Sequence, residues 1–209
     1  MIILPKQPVN ERSIVYNERT DFTRRIPTYL SKKQLYRDSK IAARIIHLYD
    51  IEHDYEGTIR YFIEKSHLLS NPRYWELMRT VWIGAGSNFF ACTFRELMKS
   101  NRPAKSWFMT PEDKAYFDAL PEEITLYRAV DSHCKLEVDE NITDFIFAKV
   151  SNPIDLNTIK DVGISWSLNH DFCVRYAEIN GLIVKSKTFK KSECFAYISR
   201  RGEMEIIVL

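Results

Sequence analysis

Glycine is scarce in this 209-residue chain, with six residues, and the eight prolines are scattered, which excludes collagen-like and low-complexity sequences. Cysteine is sparse too. Cys92, Cys134, Cys173 and Cys194 stand far apart with no Cys-x-x-Cys pair, which argues for free thiols in a reducing compartment. His133-Cys134 is the one adjacent pair of ligand-type residues, and a zinc site needs about four ligands, so no metal is expected. No run approaches the roughly 18 apolar residues of a membrane helix. The apolar start, Met1-Ile2-Ile3-Leu4, is too short for a signal sequence and has no Ala-x-Ala site after it. Neither sign of charge dominates: 30 basic against 28 acidic residues give +2, too balanced overall for a polycationic nucleic-acid binder. What is present, 45% hydrophobic and 28% charged residues, is the make-up of a soluble globular protein rather than a disordered one, and the free thiols without a signal sequence lead us to expect a cytoplasmic one.

The pattern along the chain changes once. Residues 1–30, punctuated by Pro5, Pro8 and Pro27, read as an irregular arm. Ser31 is an N-cap candidate before a helix carrying Leu35, Ile41, Ala42, Ile45 and Leu48 on one face. A second helix is expected over 55–68, with Ile59, Phe62 and Ile63 inward. After a break at Asn71-Pro72, further helices are expected over 74–83, 89–98 and 111–119. Beyond Pro121 the segments become short, β-rich and turn-bounded: 124–130, 145–150, 163–168, 181–184, 194–198 and 205–209. One helix, from Asn169 or His170 to about Glu178, interrupts them. Helices first and strands second predict an α+β fold. The basic stretch Lys185 to Lys191 reads as a solvated turn.

Three short features in the second half bear on chemistry. Glu203-Met204-Glu205 opens an apolar run, and strand alternation would point both carboxylates to one side, ~7 Å apart. Ser165-Trp166-Ser167 likewise puts two hydroxyls on one face and an indole on the other. No histidine or lysine is placed to activate either serine, and no Gly-x-Ser-x-Gly elbow occurs, so serine-type hydrolysis is not expected. Arg128 lies within an apolar strand between Tyr127 and Ala129; burying its guanidinium calls for an anion, and its planar fork suits phosphate or carboxylate. Taken singly, each feature reads first as a strand edge or a structural ion pair.

Together, an Arg on a first strand, a Ser-x-Ser strand followed directly by a helix, and a Glu-x-Glu at a late strand resemble the Arg–Ser–Glu class of NAD-dependent ADP-ribosyltransferases. The resemblance extends to Gly163-Ile164-Ser165-Trp166-Ser167-Leu168 with the following Phe172 and Tyr176-Ala177. It also takes in Gly181 to Lys185 with Glu193 to Tyr197, similar to the hairpin leading into the Glu-x-Glu strand. Residues 74–82 and Leu120-Pro121 are similar to the helical lead-in of small phage and bacterial toxin members. The resemblance covers roughly residues 70–209. It implies a split, two-sheet β-sandwich core over 71–209; residues 1–70, an arm and helices, lie outside the resemblance and are candidates for a regulatory or acceptor-binding part.

The resemblance further implies NAD+ as substrate, no metal, and transfer of ADP-ribose to a macromolecule. Glu205 would hold the ribose 2′-hydroxyl beside the oxocarbenium-like state, Glu203 would orient or deprotonate the acceptor, and Ser165 would hydrogen-bond Glu205 or the ribose. Arg128 would clamp an NAD phosphate, the Ala129 backbone would meet the nicotinamide amide, and Ser167 would join the NAD site. Tyr127, Trp166 and Tyr197 are candidate aromatic walls, and Arg200 and Arg201, with Tyr197, would border the acceptor. Two departures stand out: Ala129 replaces a common Gly, and Arg200 replaces an aromatic. A first Glu rather than Gln in the motif tends to accompany transfer to arginine side chains, while Arg200-Arg201 and the Lys185 to Lys191 stretch also suit a nucleic acid. The implied setting is a toxin or phage-conflict effector restrained by an antitoxin or chaperone. The alternatives are a catalytically silent binding or phage-structural module, and an NAD glycohydrolase with water as acceptor.

Overall fold

The structure is a computed structural model and describes residues 29–85, 91–130, 164–199 and 202–209. The chain divides into two compact units: residues 1–86 with 101–112, and residues 87–100 with 113–209. The expected strand over 145–150 and the N-terminal arm up to residue 28 lie outside the described residues.

In the helical unit, α1 (Lys32–Asp50) starts where Ser31 accepts a hydrogen bond from the Gln34 amide at 3.2 Å, which satisfies one free N–H of the first turn. Its buried apolar stripe is Ile41, Ala42, Ile45 and Leu48, as the spacing predicts. Asp54 caps α2 (Tyr55–Lys65) through the Gly57 amide at 2.8 Å. Helix α3 (Asn71–Ala85) begins at the expected break rather than after it, because a proline in the first helical turn gives up an N–H that would have no partner anyway. Phe62 of α2 meets Tyr74 of α3 at 5.4 Å between ring centroids. The Trp75 indole donates to the Pro103 carbonyl at 2.7 Å. Arg102 donates to Asn71 and to the Ser66 and Leu69 carbonyls, so one cation ties off the chain ends between α2 and α3. Helix α3 packs with α1 and α2, and residues 105–108 pack with α3, so the first unit runs past residue 70.

A buried carboxylate completes this unit. Asp38 of α1, 1% exposed, accepts from the Ser70 hydroxyl at 2.5 Å, the Ser70 amide at 3.1 Å and Gln34 Nε2 at 2.7 Å. The apolar periodicity of α1 gives no hint of it.

The second unit holds α4 (Ala91–Lys99), α5 (Pro111–Asp118) from Asp113 onward, and one antiparallel five-stranded sheet: β1 (Glu123–Val130), β2 (Ser165–Ser167), β3 (Ile183–Lys190), β4 (Cys194–Ile198) and β5 (Glu205–Val208), with α6 (His170–Asn180) between β2 and β3. The order is β3-β1-β2-β5-β4. Two expectations change here. Lys185 to Lys190 is not a turn but most of β3, paired along its whole length with β1 from Glu123↔Lys190 to Val130↔Ile183. Its lysines belong to a sheet edge, where charge discourages further pairing. Nor do β3 and β4 form a hairpin: they occupy opposite edges.

That topology bends the sheet. Laid flat, the five strands would hold β3 and β4 about 19 Å apart. Only the 3₁₀ turn Lys191–Glu193 joins them, and such a turn rises about 2 Å per residue. The two edges must therefore approach each other at this end. The core agrees: Leu126 and Ile124 of β1, Trp166 of β2, Phe189 of β3, Cys194 and Tyr197 of β4 and Ile206 of β5 form one cluster. Trp166 and Phe189, two strands apart, meet edge to face at 5.0 Å.

Both interiors can be probed by their buried polar groups. Asp38→Ala should cost about 2–3 kcal/mol in urea unfolding, since it strips charge-assisted bonds from a buried hydroxyl and amide. Burial raises the Cys194 thiol to about 11. Its burial favours folding below the ordinary thiol range near 9 and loses that advantage as pH climbs from 9 to 11; stability measured across that interval should fall. Alkylation of Cys194 at pH 8 should be undetectable until denaturant is added.

Candidate functional site

Sheet register decides which predicted residues meet. The pairs Tyr127↔Ser167, Ser167↔Glu205 and Ile198↔Glu205 set Tyr127, Ser167 and Glu205 in one row across β1, β2 and β5, facing one side. Ser165 lies on the same side of β2, on the diagonal from Glu205, within reach of a long side chain. The Ser165 hydroxyl donates to Glu205 Oε1 at 2.6 Å, a charge-assisted bond that fixes the carboxylate. Glu205 is only 8% exposed, so such bonds are what make its burial tolerable.

Glu203 is placed differently from the expectation. Strand β5 begins at Glu205, and Met204 before it has φ 49°. Glu203 is half-buried in the preceding loop, and the alternation that would align the two carboxylates does not run through Met204. A clasp holds this loop. The Ser167 hydroxyl donates to the Glu203 carbonyl and accepts from the Asn169 amide at 2.9 Å. Asn169 Nδ2 donates to the Gly202 carbonyl at 2.9 Å, and the Leu168 amide donates to the Met204 carbonyl at 3.0 Å. Gly202, at φ 78°, sits in the left-handed region that suits glycine. The second serine of Ser-x-Ser thus shapes the loop that presents Glu203 and Glu205.

Asn169 also caps α6, its Oδ1 accepting from the Phe172 amide at 3.0 Å. Sequence reading placed the helix start here but missed the loop contact, which joins residues 33 apart. From α6, His170 lies edge-on to Tyr127 at 4.8 Å. Cys173 comes within hydrogen-bond reach of the Ser167 hydroxyl and the Ala129 backbone; burial raises its thiol, and those contacts lower it less. The backbone of Ala129, proposed for nicotinamide, therefore sits beside a buried thiol. A further missed residue is Asp113, 1% exposed, whose Oδ1 accepts from the Ser199 hydroxyl at 2.6 Å and the Ser199 amide at 3.1 Å, anchoring the end of β4 ahead of the loop.

The remaining candidates separate. Arg128 is 8% exposed and, by alternation along β1, shares the face of Leu126 and Val130, opposite that of Tyr127; Lys185 is its register partner on β3. Trp166 and Tyr197 belong to the core, Tyr197 stacked on Tyr116 at 4.4 Å, which leaves Tyr127 as the aromatic in the row of Glu205. Arg200 and Arg201 lie outside the described residues. β1 and β2 are joined at the single register pair Tyr127↔Ser167. Among the described residues no cluster of three His, Cys, Asp or Glu side chains could hold a metal ion, and no helix is long and apolar enough to cross a membrane.

Asn169→Asp keeps the helix cap and loses the donor to Gly202; Asn169→Ala loses both. We expect Asn169→Ala to destabilise the protein by about 1–2 kcal/mol, and both variants to speed amide exchange at residues 203–205, read by hydrogen-exchange mass spectrometry. No family model, curated protein or solved structure matches the chain.

Proposed function

We propose that the protein is a mono-ADP-ribosyltransferase that moves ADP-ribose from NAD+ to a macromolecular acceptor. The observation that carries this reading is the Ser165–Glu205 hydrogen bond at 2.6 Å, between the serine and the glutamate that the motif resemblance would pair. A carboxylate held by a neighbouring hydroxyl is organised before the substrate arrives. It contributes most when positive charge develops beside it, and this difference between ground and transition state lowers a barrier.

In this reading the bond between C1′ of the ribose and the nicotinamide nitrogen breaks, and nicotinamide leaves with the electron pair. Glu205 faces the resulting oxocarbenium-like cation and holds the 2′-hydroxyl. The acceptor's nucleophile bonds to C1′ and passes its proton to Glu203, which the clasped loop carries next to Glu205. The bent sheet with its one-pair junction between β1 and β2 is in keeping with a split core. Arg128, which the resemblance would set on the NAD phosphates, stands on the face of β1 opposite Tyr127, so this reading rests on Ser165 and Glu205 and not on Arg128. Tyr127, alongside Ser167 and Glu205, is the aromatic wall for the nicotinamide end.

Incubation with adenylate-labelled NAD+ and cell lysate tests the reading. Wild type should label macromolecules. Glu205→Gln should lower the rate about a hundredfold or more, an order set by loss of transition-state charge stabilisation, while far-UV circular dichroism stays unchanged. Ser165→Ala should lower it less. Protease or RNase sensitivity of the label names the acceptor class, and nicotinamide release without label would identify a glycohydrolase. Equal labelling by Glu205→Gln and wild type would overturn the assignment.

A further inference from the structure

The outer face of α1 carries charge of one sign. Lys32, Lys33, Arg37, Lys40 and Arg44 are all exposed, and at about 100° per residue they fall within an arc of about 140°, running roughly 18 Å along the axis. From Lys32 to His47 no acidic side chain shares that arc. The carboxylate within the helix body, Asp38, is buried on the opposite side, and Asp50 lies beyond the stripe in the last turn. Glu52, past the helix end, meets Arg44 at 2.6 Å and His47 at 3.2 Å, which neutralises the C-terminal end alone. Arg37 donates to Gln34, a neutral partner, and Lys40 lies 4.9 Å over the Tyr36 ring. Lys32, Lys33, Arg37 and Lys40 meet no carboxylate among the described residues. In a chain of net charge +2, this is strong local segregation.

A solvated helix usually mixes signs at i,i+4, as Glu56–Arg60 does on α2, because like charges one turn apart repel. From Lys32 to Lys40 the cations stand one turn apart without an opposing acid among the described residues, a cost that a polyanion along the helix would reverse. We infer that the exposed face of α1 binds the phosphate backbone of a nucleic acid. Charge complementarity names the partner: a duplex carries one negative charge per about 1.7 Å of its axis, and cations that displace its counterions bind with strong salt dependence. Exposed Tyr36 lies within the stripe and exposed Tyr29 precedes the helix, stacking surfaces of the kind single strands use. A lipid surface fits less well. A helix that lies in a membrane needs a free apolar face, and the apolar stripe of α1 is spent on its own unit. The inference stands on the helical unit alone and does not depend on the transferase reading.

Fluorescence anisotropy of the full chain with a labelled RNA or DNA oligonucleotide, over a range of salt, tests it. Wild type should bind with a log–log salt slope of about −3 or steeper. Lys33→Ala/Arg37→Ala/Lys40→Ala should weaken binding about tenfold or more and flatten the slope by about 2 to 3. Lys33→Arg/Arg37→Lys/Lys40→Arg keeps the charge and should bind as wild type, which separates charge from folding. The inference is overturned by absence of oligonucleotide binding, by equal binding of the alanine triple, by a loss confined to Lys185→Ala/Lys187→Ala on β3, or by binding to phosphatidylserine vesicles in place of the oligonucleotide.

Discussion

Three residues, Lys191–Glu193, carry the chain from one outer strand of the sheet to the other, and the geometry of the second unit depends on that short reach. A flat sheet cannot satisfy it. Bending brings Phe189 of one edge and Cys194 of the other into the same core and lets Trp166 and Tyr197 fill its middle. The turn is itself tied down: the Lys191 amide donates to the Glu122 carbonyl at 2.7 Å, and Lys191 Nζ to the Asp118 and Leu120 carbonyls at 2.7 and 2.9 Å. With the inner face given to this core, Ser165, Ser167 and Glu205 are left on the other face, the one on which α6 brings His170 to Tyr127 and Cys173 to Ser167.

The two serines of one short strand divide their labour because they differ in position along it. Ser167, opposite Glu205, turns its hydroxyl to backbone and sets the path of the loop. Ser165, one step further along the same face, reaches the carboxylate itself. Asn169 joins helix to loop by capping α6 and holding Gly202. Together these bonds fix the Glu205 carboxylate and the loop before it from the β2 side.

In the helical unit the polar interior and the charged exterior are complementary solutions to one composition. Asp38 is buried because Ser70 and Gln34 supply its donors, and Arg102 is held at the carbonyls beyond α2 and over the Tyr74 ring. The remaining basic residues of α1 are left to the surface, where they collect on one face. Whole-chain charge balance conceals this, since acids elsewhere cancel them in the sum.

Local signals were legible in sequence wherever a few neighbouring residues decide the outcome. The cap at Ser31, the stripe Ile41, Ala42, Ile45 and Leu48, strand β4 and the start of α6 follow from periodicity and capping chemistry, and the motif order singled out the serine and glutamate that prove to be bonded. Local reading failed where a residue's role depends on a distant partner. Lys185 to Lys190 looks like a solvated turn until β1 pairs with it. Glu203 looks collinear with Glu205 until Met204 takes its left-handed turn. Asp113, Asn169 and Asp38 look like ordinary polar residues until Ser199, Gly202 and Ser70 reach them. By itself the sequence determined an α+β chain with helices first and strands second, because those preferences act over a single turn or strand. Tertiary structure alone decided the strand order, the bend, and which side chains share a face, because pairing and burial join residues that the chain keeps far apart.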